Sequence, residues 1–194
     1  MSTLLALDIA ILPSPDVRQR AVQSSATLPG EEFQGLRLDA DHLPHLTLTQ
    51  HFVRIDELDA IFERVDEALR GQPTLTLRAT GGGKGTSSVW IAVERTEAIA
   101  ELHERLMETL RGFERPGGGP AAFFEGDARV GDVVWVTGYR LTSSLSAYTP
   151  HITLGHASEP PPIDPFTFEA TTVAACHLGR FCCCRRVLRS WKLT

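Results

Sequence analysis

Cysteine is scarce in this sequence and poorly placed for disulfide bonds. Only four of the 194 residues are cysteines, and three of them, Cys182, Cys183 and Cys184, are consecutive, with Cys176 upstream. Neighbouring residues of a strand point to opposite faces, and the run lacks the Cys-x-x-Cys spacing that zinc sites favour. A disulfide-stapled scaffold is therefore not indicated. We expect reduced thiols that mostly pack in the interior of a cytoplasmic protein.

The sequence also lacks an excess of basic residues. It contains 19 lysines and arginines against 24 aspartates and glutamates, a formal charge of −5. Proteins that bind a nucleic acid duplex gain affinity by neutralising many phosphates, which requires the opposite balance. We therefore expect no duplex partner; a nucleic acid would be bound at one end or at one nucleotide.

No apolar run is long enough to cross a membrane. The apolar N-terminal stretch, residues 1–12, contains Asp8, has no basic residue ahead of it and meets Pro13 and Pro15. A membrane helix needs about 20 consecutive apolar residues. We interpret the stretch as a first strand rather than a signal peptide, and expect a soluble protein with no membrane partner.

Length and periodicity favour one α+β domain over residues 1–194, which we expect to be monomeric. Strands are predicted over 4–12, 33–38 (weak), 45–53, 133–136, 151–155, 166–178 and 184–193, and as a hairpin over 75–93. Helices are predicted from Pro15 to about residue 28, from a cap at Asp56 to residue 69, and over about 96–111, with a loop over 113–132. About eight short strands and three helices without regular alternation predict largely antiparallel pairing.

The most informative feature is a repeated motif. Residues 44–48 read Pro-His-Leu-Thr-Leu and residues 150–154 read Pro-His-Ile-Thr-Leu. Residues i and i+2 of a strand share a face, so each motif should present a histidine beside a threonine, His45 with Thr47 and His151 with Thr153. The same alternation predicts that Thr49 and His51 share the face of His45.

Two such strands facing each other would suit a phosphodiester. Hydrolysis needs one group to take a proton from water and another to give a proton to the leaving oxygen, and two histidines near a pKa of ~6.5 can do both at neutral pH. We therefore assign His45 and His151 as acid and base in an order left open, and Thr47 and Thr153 as phosphate ligands. No cofactor or metal is required.

Competing interpretations of other residues are weaker. The glycine-rich run at residues 81–86 invites a phosphate-loop assignment, but Lys84 is followed by Gly85 rather than serine or threonine, so a hairpin turn is favoured. His42, His51 and His156 could join the motif histidines around zinc, yet no recognised ligand spacing is present. The arginines at 180, 185, 186 and 189 are interpreted as a solvated strand edge.

The paired His-x-Thr motifs at residues 45–48 and 151–154 resemble the signature of the 2H phosphoesterase superfamily, which includes the 2′-5′ RNA ligases, or RNA 2′,3′-cyclic phosphodiesterases. The resemblance extends over nearly the whole chain and implies a bilobal, pseudo-two-fold fold of two antiparallel sheets with helices outside and a central groove. It also implies opening of a 2′,3′-cyclic phosphate to a 2′-phosphate. Gly155 and His156 follow the second motif, where many relatives have a basic residue.

The resemblance leaves the substrate open. An RNA end or a small nucleotide bearing a cyclic phosphate is the first choice, with a 2′-5′ oligonucleotide or ADP-ribose cyclic phosphate as alternatives, and the reverse ligase reaction or a non-catalytic nucleotide- or RNA-binding module as others. Tyr148 could stack on a base or pack against the groove wall. His51 could line the edge of the groove, but a solvated histidine or one satisfied in the core is favoured.

Overall fold

The computed structural model of the protein describes residues 3–30 and 35–194. In these ranges eight strands form one antiparallel sheet in the order β6-β3-β4-β5-β2-β1-β7-β8. The strands are β1 (Leu4–Ile11), β2 (Leu46–Arg54), β3 (Leu75–Lys84), β4 (Ser88–Val93), β5 (His151–His156), β6 (Phe166–Ala170), β7 (Thr172–Leu178) and β8 (Cys184–Lys192). The described helices are α1 (Pro15–Ala26), α2 (Leu58–Leu69), α3 (Glu97–Leu110) and α4 (Val130–Thr142).

The sheet consists of two four-stranded halves joined at its centre. Strands β2, β1, β7 and β8 form one half and β5, β4, β3 and β6 the other. One residue pair joins them, Leu46 of β2 opposite Ile152 of β5, and both side chains are fully buried. The predicted α+β architecture with antiparallel pairing is confirmed. The two expected sheets are the halves of one continuous sheet.

Each motif ends in a β-bulge at the same position. In β2, Ile9 lies opposite Thr49 and Ala10 opposite Thr47, so Leu48 is the extra residue. In β5, Val89 lies opposite Gly155 and Trp90 opposite Thr153, which makes Leu154 the extra residue. A bulge bends its strand and increases the local twist. The bulges therefore bend both strands close to their single shared pair, next to which the cavity lies.

Helices α2 and α3 pack together with their predicted apolar stripes buried. The stripe of α2 is Ile61, Phe62, Val65 and Leu69. The hydroxyl of Thr96 accepts a hydrogen bond from the Ile99 amide, which caps α3. A short 3-10 turn, Ile55–Glu57, precedes α2 where the cap was expected. The predicted hairpin is also confirmed, with β3 paired to β4, but the glycines at 81–83 lie within β3 rather than in the turn, which falls at residues 85–87.

The strand predicted over 133–136 is wrong, because these residues lie inside α4. The run of β-branched and aromatic residues favours a strand locally. Helix α4 nevertheless starts with a capping box in which Asp132 accepts from the Arg129 amide, and it buries Asp132, Val136 and Tyr139 on one face. Tertiary packing and the cap outweigh the weak propensity.

Other parts of the prediction meet different outcomes. The loop predicted over 113–132 contains two short 3-10 turns, Pro120–Ala122 and Phe124–Gly126. The weak strand predicted over 33–38 falls partly on residues 31–34, which lie outside the described residues; in the described part, Arg37 forms one isolated bridge to Gly155. All four cysteines are free thiols. Within residues 3–30 and 35–194, the helices are too short or too polar to span a membrane.

Gly155 should be intolerant of a side chain. Its φ is +151°, and an added Cβ would lie 2.5 Å from the carbonyl oxygen of Leu36. We expect Gly155→Ala to lower the free energy of unfolding by about 2 kcal/mol or more, as a strained backbone and a buried clash together require. Urea denaturation of both proteins measures the difference.

A matched glycine provides the control. Gly138 lies within α4, where an added Cβ would meet its nearest neighbour, the Thr142 hydroxyl, at 3.8 Å. Gly138→Ala should stabilise the protein by about 0.5–1 kcal/mol through helix propensity. Equal effects of the two substitutions would contradict the role given to the Gly155 backbone.

Candidate active site

Both motifs border one open cavity of about 690 Å³. His45 and Thr47 line it from β2 and the residue before it, and His151 and Thr153 line it from β5. Because Leu46 pairs with Ile152, the antiparallel register sets His45 opposite Thr153 and Thr47 opposite His151. The four side chains thus occupy the corners of a square on one face of the sheet. The two imidazoles stand at diagonal corners, on opposite sides of any group bound at the centre.

The two histidines are held in the same way. Nδ1 of His45 donates to the carbonyl oxygen of Leu43 at 2.8 Å, and Nδ1 of His151 donates to the carbonyl oxygen of Thr149 at 2.7 Å. In each case the acceptor lies two residues before the histidine. Because Nδ1 is occupied, Nε2 is the nitrogen left for proton transfer in the cavity. The local extended backbone therefore sets both tautomers.

A buried carboxylate supports the first motif. Asp8 on β1 is fully buried, and its Oδ2 accepts hydrogen bonds from the Thr47 hydroxyl and the Gln50 amide, each at 2.8 Å. The same oxygen lies 3.7 Å from Nε2 of His45. Burial raises the pKa of Asp8, while His45, Gln50 and Thr47 oppose the rise. The aspartate therefore couples the histidine and the threonine of this motif.

The second motif has an aromatic neighbour instead. The Trp90 ring lies 5.0 Å from the His151 ring between centroids. Burial lowers the pKa of His151, the Thr149 carbonyl opposes this, and the charge of His45 lowers it further. His151 is therefore favoured in its neutral form, which can accept a proton.

The bulges decide which later residues reach the cavity. After each extra leucine the alternation slips by one, so the next residue on the cavity face is five positions after the histidine, Gln50 in β2 and His156 in β5. The prediction that Thr49 shares the face of His45 is therefore wrong. Thr49 lies opposite Ile9, on the core face, and is fully buried.

A family model described as the 2′-5′ RNA ligase superfamily matches residues 14–187. The chain belongs to the 2′-5′ RNA ligase superfamily. Among solved structures, TT0787 of Thermus thermophilus superposes with a TM-score of 0.63 at 20% identity, over 97% of this chain and 98% of that chain. A search among curated proteins found no match.

E. coli LigT has the same fold. Its apo structure gives a TM-score of 0.61 at 20% identity, covering 100% of this chain and 99% of that chain. Its structure complexed with NADP+ gives 0.64 at 20% identity, with 99% of each chain covered. The resemblance inferred from the two motifs is confirmed at the level of the family and the fold.

Helix α4 forms a wall of the cavity that the sequence did not indicate in this member of the 2′-5′ RNA ligase superfamily. Trp135 is 46% exposed and donates from its indole nitrogen to the Gln50 side chain at 2.9 Å. Arg129 is the one lysine or arginine among the described residues that line the cavity. It pairs with Asp132 at 2.6 Å and lies over the Phe181 ring at 3.9 Å. The lining thus contains a basic residue at the start of α4, Arg129, although Gly155 and His156 follow the second motif.

Asp8 was missed as a site residue, although the sequence carried a signal. It is the one charged residue in an otherwise apolar first strand, and a charge is rarely buried without a partner. Arg129 and Trp135 offered no comparable signal, because their positions depend on the helix that was predicted as a strand.

Tyr148 lies along the cavity but its ring is covered. It stacks on His103 with ring centroids 3.9 Å apart, and its hydroxyl donates to the Thr47 carbonyl oxygen at 3.0 Å. Nδ1 of His103 in turn donates to the Leu48 carbonyl oxygen. This arrangement corresponds to the packing alternative: the pair ties α3 to the backbone of the first motif.

The structure does not bring His51 to this cavity, and its side chain is buried, which corresponds to the alternative of a core histidine. His51 follows the bulge, lies opposite Leu7, and borders a second, smaller cavity beside Glu114 and Arg140. Burial lowers its pKa to about 3, and the charges of Arg140 and His103 add to the effect. Its Nε2 is buried without a hydrogen-bond partner. His51 therefore affects the free energy of unfolding and does not line the cavity that contains the two motifs.

This predicts a pH-dependent cost of folding. Below pH 6.5 the unfolded chain protonates His51, whereas the folded chain does not until about pH 3. The unfolded state then binds more protons, so the free energy of unfolding falls as the pH is lowered, by at most about 1.4 kcal/mol per pH unit for this group. His51→Gln should remove that part of the slope. Urea denaturation between pH 4.5 and 8, compared between the two proteins, measures it; parallel curves would contradict the assignment.

Proposed function

We propose that this chain hydrolyses a 2′,3′-cyclic phosphate, at an RNA end or on a nucleotide, to a 2′-phosphate without a metal. The observation that carries the proposal is the pair of imidazoles at diagonal corners of one cavity. In each, Nδ1 is bound to a backbone carbonyl oxygen, which leaves Nε2 for proton transfer. Membership of the 2′-5′ RNA ligase superfamily supports chemistry at a phosphodiester. The assignment of a cyclic phosphate as the substrate rests on the geometry of the two histidines in the cavity.

The reaction proceeds by in-line displacement at phosphorus. Nε2 of His151 takes a proton from water as the water oxygen forms its bond to phosphorus. The bond from phosphorus to O3′ breaks, and Nε2 of His45 gives a proton to the leaving O3′. His151 acts as the base because its pKa is lowered. His45 is assigned as the acid because its Nε2 lies 3.7 Å from the carboxyl group of Asp8, whereas His151 lies beside the ring of Trp90.

The threonines and the arginine hold the phosphate. Thr47 and Thr153 stand between the histidines. The Thr153 hydroxyl can donate to a non-bridging oxygen of a phosphate at the centre of the square. The Thr47 hydroxyl, which donates to Asp8 here, can do the same only by releasing that carboxylate. Arg129 places a guanidinium group, paired with Asp132, on the α4 side of the cavity. Donors placed where charge develops stabilise the transition state.

The cavity suits a nucleotide in size and in surface. A volume of about 690 Å³ lies within the range of small-molecule sites. The half-exposed ring of Trp135 offers a stacking surface for a base. E. coli LigT, which shares the fold, has been solved complexed with NADP+, 3′-AMP and ATP. We extend such small nucleotide ligands to this chain, with no duplex and no second protein required.

The deciding experiment is turnover of a 2′,3′-cyclic mononucleotide in EDTA. We expect full wild-type activity, a loss of about 10²- to 10⁴-fold in His45→Ala and in His151→Ala, and a smaller loss in Thr153→Val. The product should carry a 2′-phosphate, identified by phosphorus NMR against authentic 2′- and 3′-nucleotides. His51→Gln is the matched control and should retain activity at pH 7.5.

Each alternative gives a different result. Turnover that EDTA abolishes, or that persists in His45→Ala, would refute the mechanism. Turnover restricted to a 2′-5′ oligonucleotide or to ADP-ribose cyclic phosphate in a substrate panel would move the activity to that diester. Nucleotide binding without any turnover would identify a binding module.

The acid limb of the pH profile tests the assigned base. His151 must be neutral to accept a proton, so kcat/KM should fall as the pH drops through its pKa in the free enzyme. Because that pKa is lowered from its ordinary value of 6.5, the half-activity point should lie below pH 6.5. A midpoint above pH 7 would contradict His151 as the base.

A further inference from the structure

Three side chains from separate strands meet beneath the first motif. Asp8 of β1, His45 before β2 and Cys184 of β8 each offer one atom, and these three atoms lie within 4.8 Å of one another. All three residues are buried. The proposed hydrolysis uses the histidine and the aspartate but has no role for the thiol.

The backbone holds this cluster in place. The Leu43 amide donates to the Cys184 carbonyl oxygen at 3.0 Å, and the Leu43 carbonyl oxygen accepts from Nδ1 of His45. One residue therefore ties the histidine to the strand that carries the cysteine. Since Nδ1 is occupied, Nε2 of His45 is the nitrogen turned toward Asp8.

The three cysteines of the run do not share one environment. Cys184 packs with Cys176 and Ala10 in the smaller core cluster, on the side of Asp8. Cys183 packs in the larger core cluster, on the other side of the sheet. This alternation selects Cys184 as a possible ligand and leaves Cys183 as a chemically identical neighbour that cannot reach the cluster.

One oxygen of Asp8 lacks a partner. Its Oδ2 accepts from Thr47 and Gln50, whereas its Oδ1 is buried without a hydrogen bond. An unsatisfied buried polar atom costs about 1–3 kcal/mol, and more for a charged group. The oxygen 3.7 Å from Nε2 of His45 is Oδ2, and a cation bound to this carboxylate would offset the cost of burying it.

We propose that Asp8, His45 and Cys184 form a Zn²⁺ site, and that zinc bound there inhibits the enzyme. One sulfur, one nitrogen and one oxygen ligand suit zinc, which binds them at about 2.0–2.3 Å, whereas Mg²⁺ and Ca²⁺ prefer oxygen alone. Closing the atoms onto one ion needs a small contraction. The thiol releases its proton to solvent as the sulfur–zinc bond forms.

Inhibition rests on the proposed function, because zinc would occupy the Nε2 lone pair through which His45 carries its catalytic proton. The zinc ion therefore competes with the catalytic proton for Nε2 of His45 and does not act as a cofactor. Removing zinc with a chelator should therefore not lower the activity, as the hydrolysis expected in EDTA also requires. Zinc would thus regulate turnover through a residue, Cys184, that the chemistry does not need.

The test compares Cys184→Ala with Cys183→Ala, two equal truncations at adjacent buried positions. Zinc binding is measured directly, by competition with a chromophoric chelator, and the thiolate-to-cobalt absorption is recorded with Co²⁺. We expect one zinc per wild-type chain, at least about a tenfold loss of affinity in Cys184→Ala, and wild-type affinity in Cys183→Ala. The cobalt–thiolate band should vanish only in Cys184→Ala.

Turnover assays then distinguish zinc binding from inhibition by the bound zinc. In EDTA both variants should turn over a cyclic mononucleotide like the wild type, which also shows that they are folded. Added Zn²⁺ should inhibit the wild type and Cys183→Ala but not Cys184→Ala. Equal zinc affinity in all three proteins, or stimulation by zinc, would overturn the proposal. Zinc binding that needs Cys184 in a protein without turnover would uphold the site and refute the proposed function instead.

Discussion

The contact between Leu46 and Ile152 is the constraint on which the site depends. Both side chains are fully buried, and theirs is the one residue pair that joins the two halves of the described sheet. Their antiparallel pairing sets His45 opposite Thr153 and Thr47 opposite His151. The pairing stops there because β2 begins at Leu46 and β5 at His151, so each strand runs on past the start of the other. Bulges at Leu48 and Leu154, in the pairing with β1 and β4, bend the two strands beside this point.

Different neighbours break the symmetry of the two motifs. The first motif rests on a buried carboxylate, Asp8, and the second lies beside the ring of Trp90. A buried carboxylate is costly unless it is hydrogen-bonded and paired with a cation. At Asp8, Thr47, Gln50 and the imidazole of His45 offset part of that cost, and one carboxylate oxygen stays without a hydrogen bond. Two motifs of equal composition can therefore take unequal roles in proton transfer.

Short-range pattern was sufficient for much of the fold and failed where distant contacts decide. The amphipathic stripes of α2 and α3 follow from spacing alone, since each helix buries one face on the sheet. Residues 133–136 have the pattern of a strand but are helical, because the Arg129–Asp132 cap and the packing of Val136 and Tyr139 are absent from any local window. His51 was misassigned because a bulge shifts the alternation by one residue, and periodicity does not reveal a bulge.

By itself the sequence determined the paired motifs: two histidines, each two residues before a threonine, on strands that bury their aliphatic neighbours. That much follows from the period of a strand, which is local. Only the tertiary structure decided what surrounds them, namely the carboxylate of Asp8, the cation of Arg129, the ring of Trp135 and the thiol of Cys184. These groups come from strands and a helix far apart in the chain, and their meeting depends on strand order and register, which no local pattern encodes.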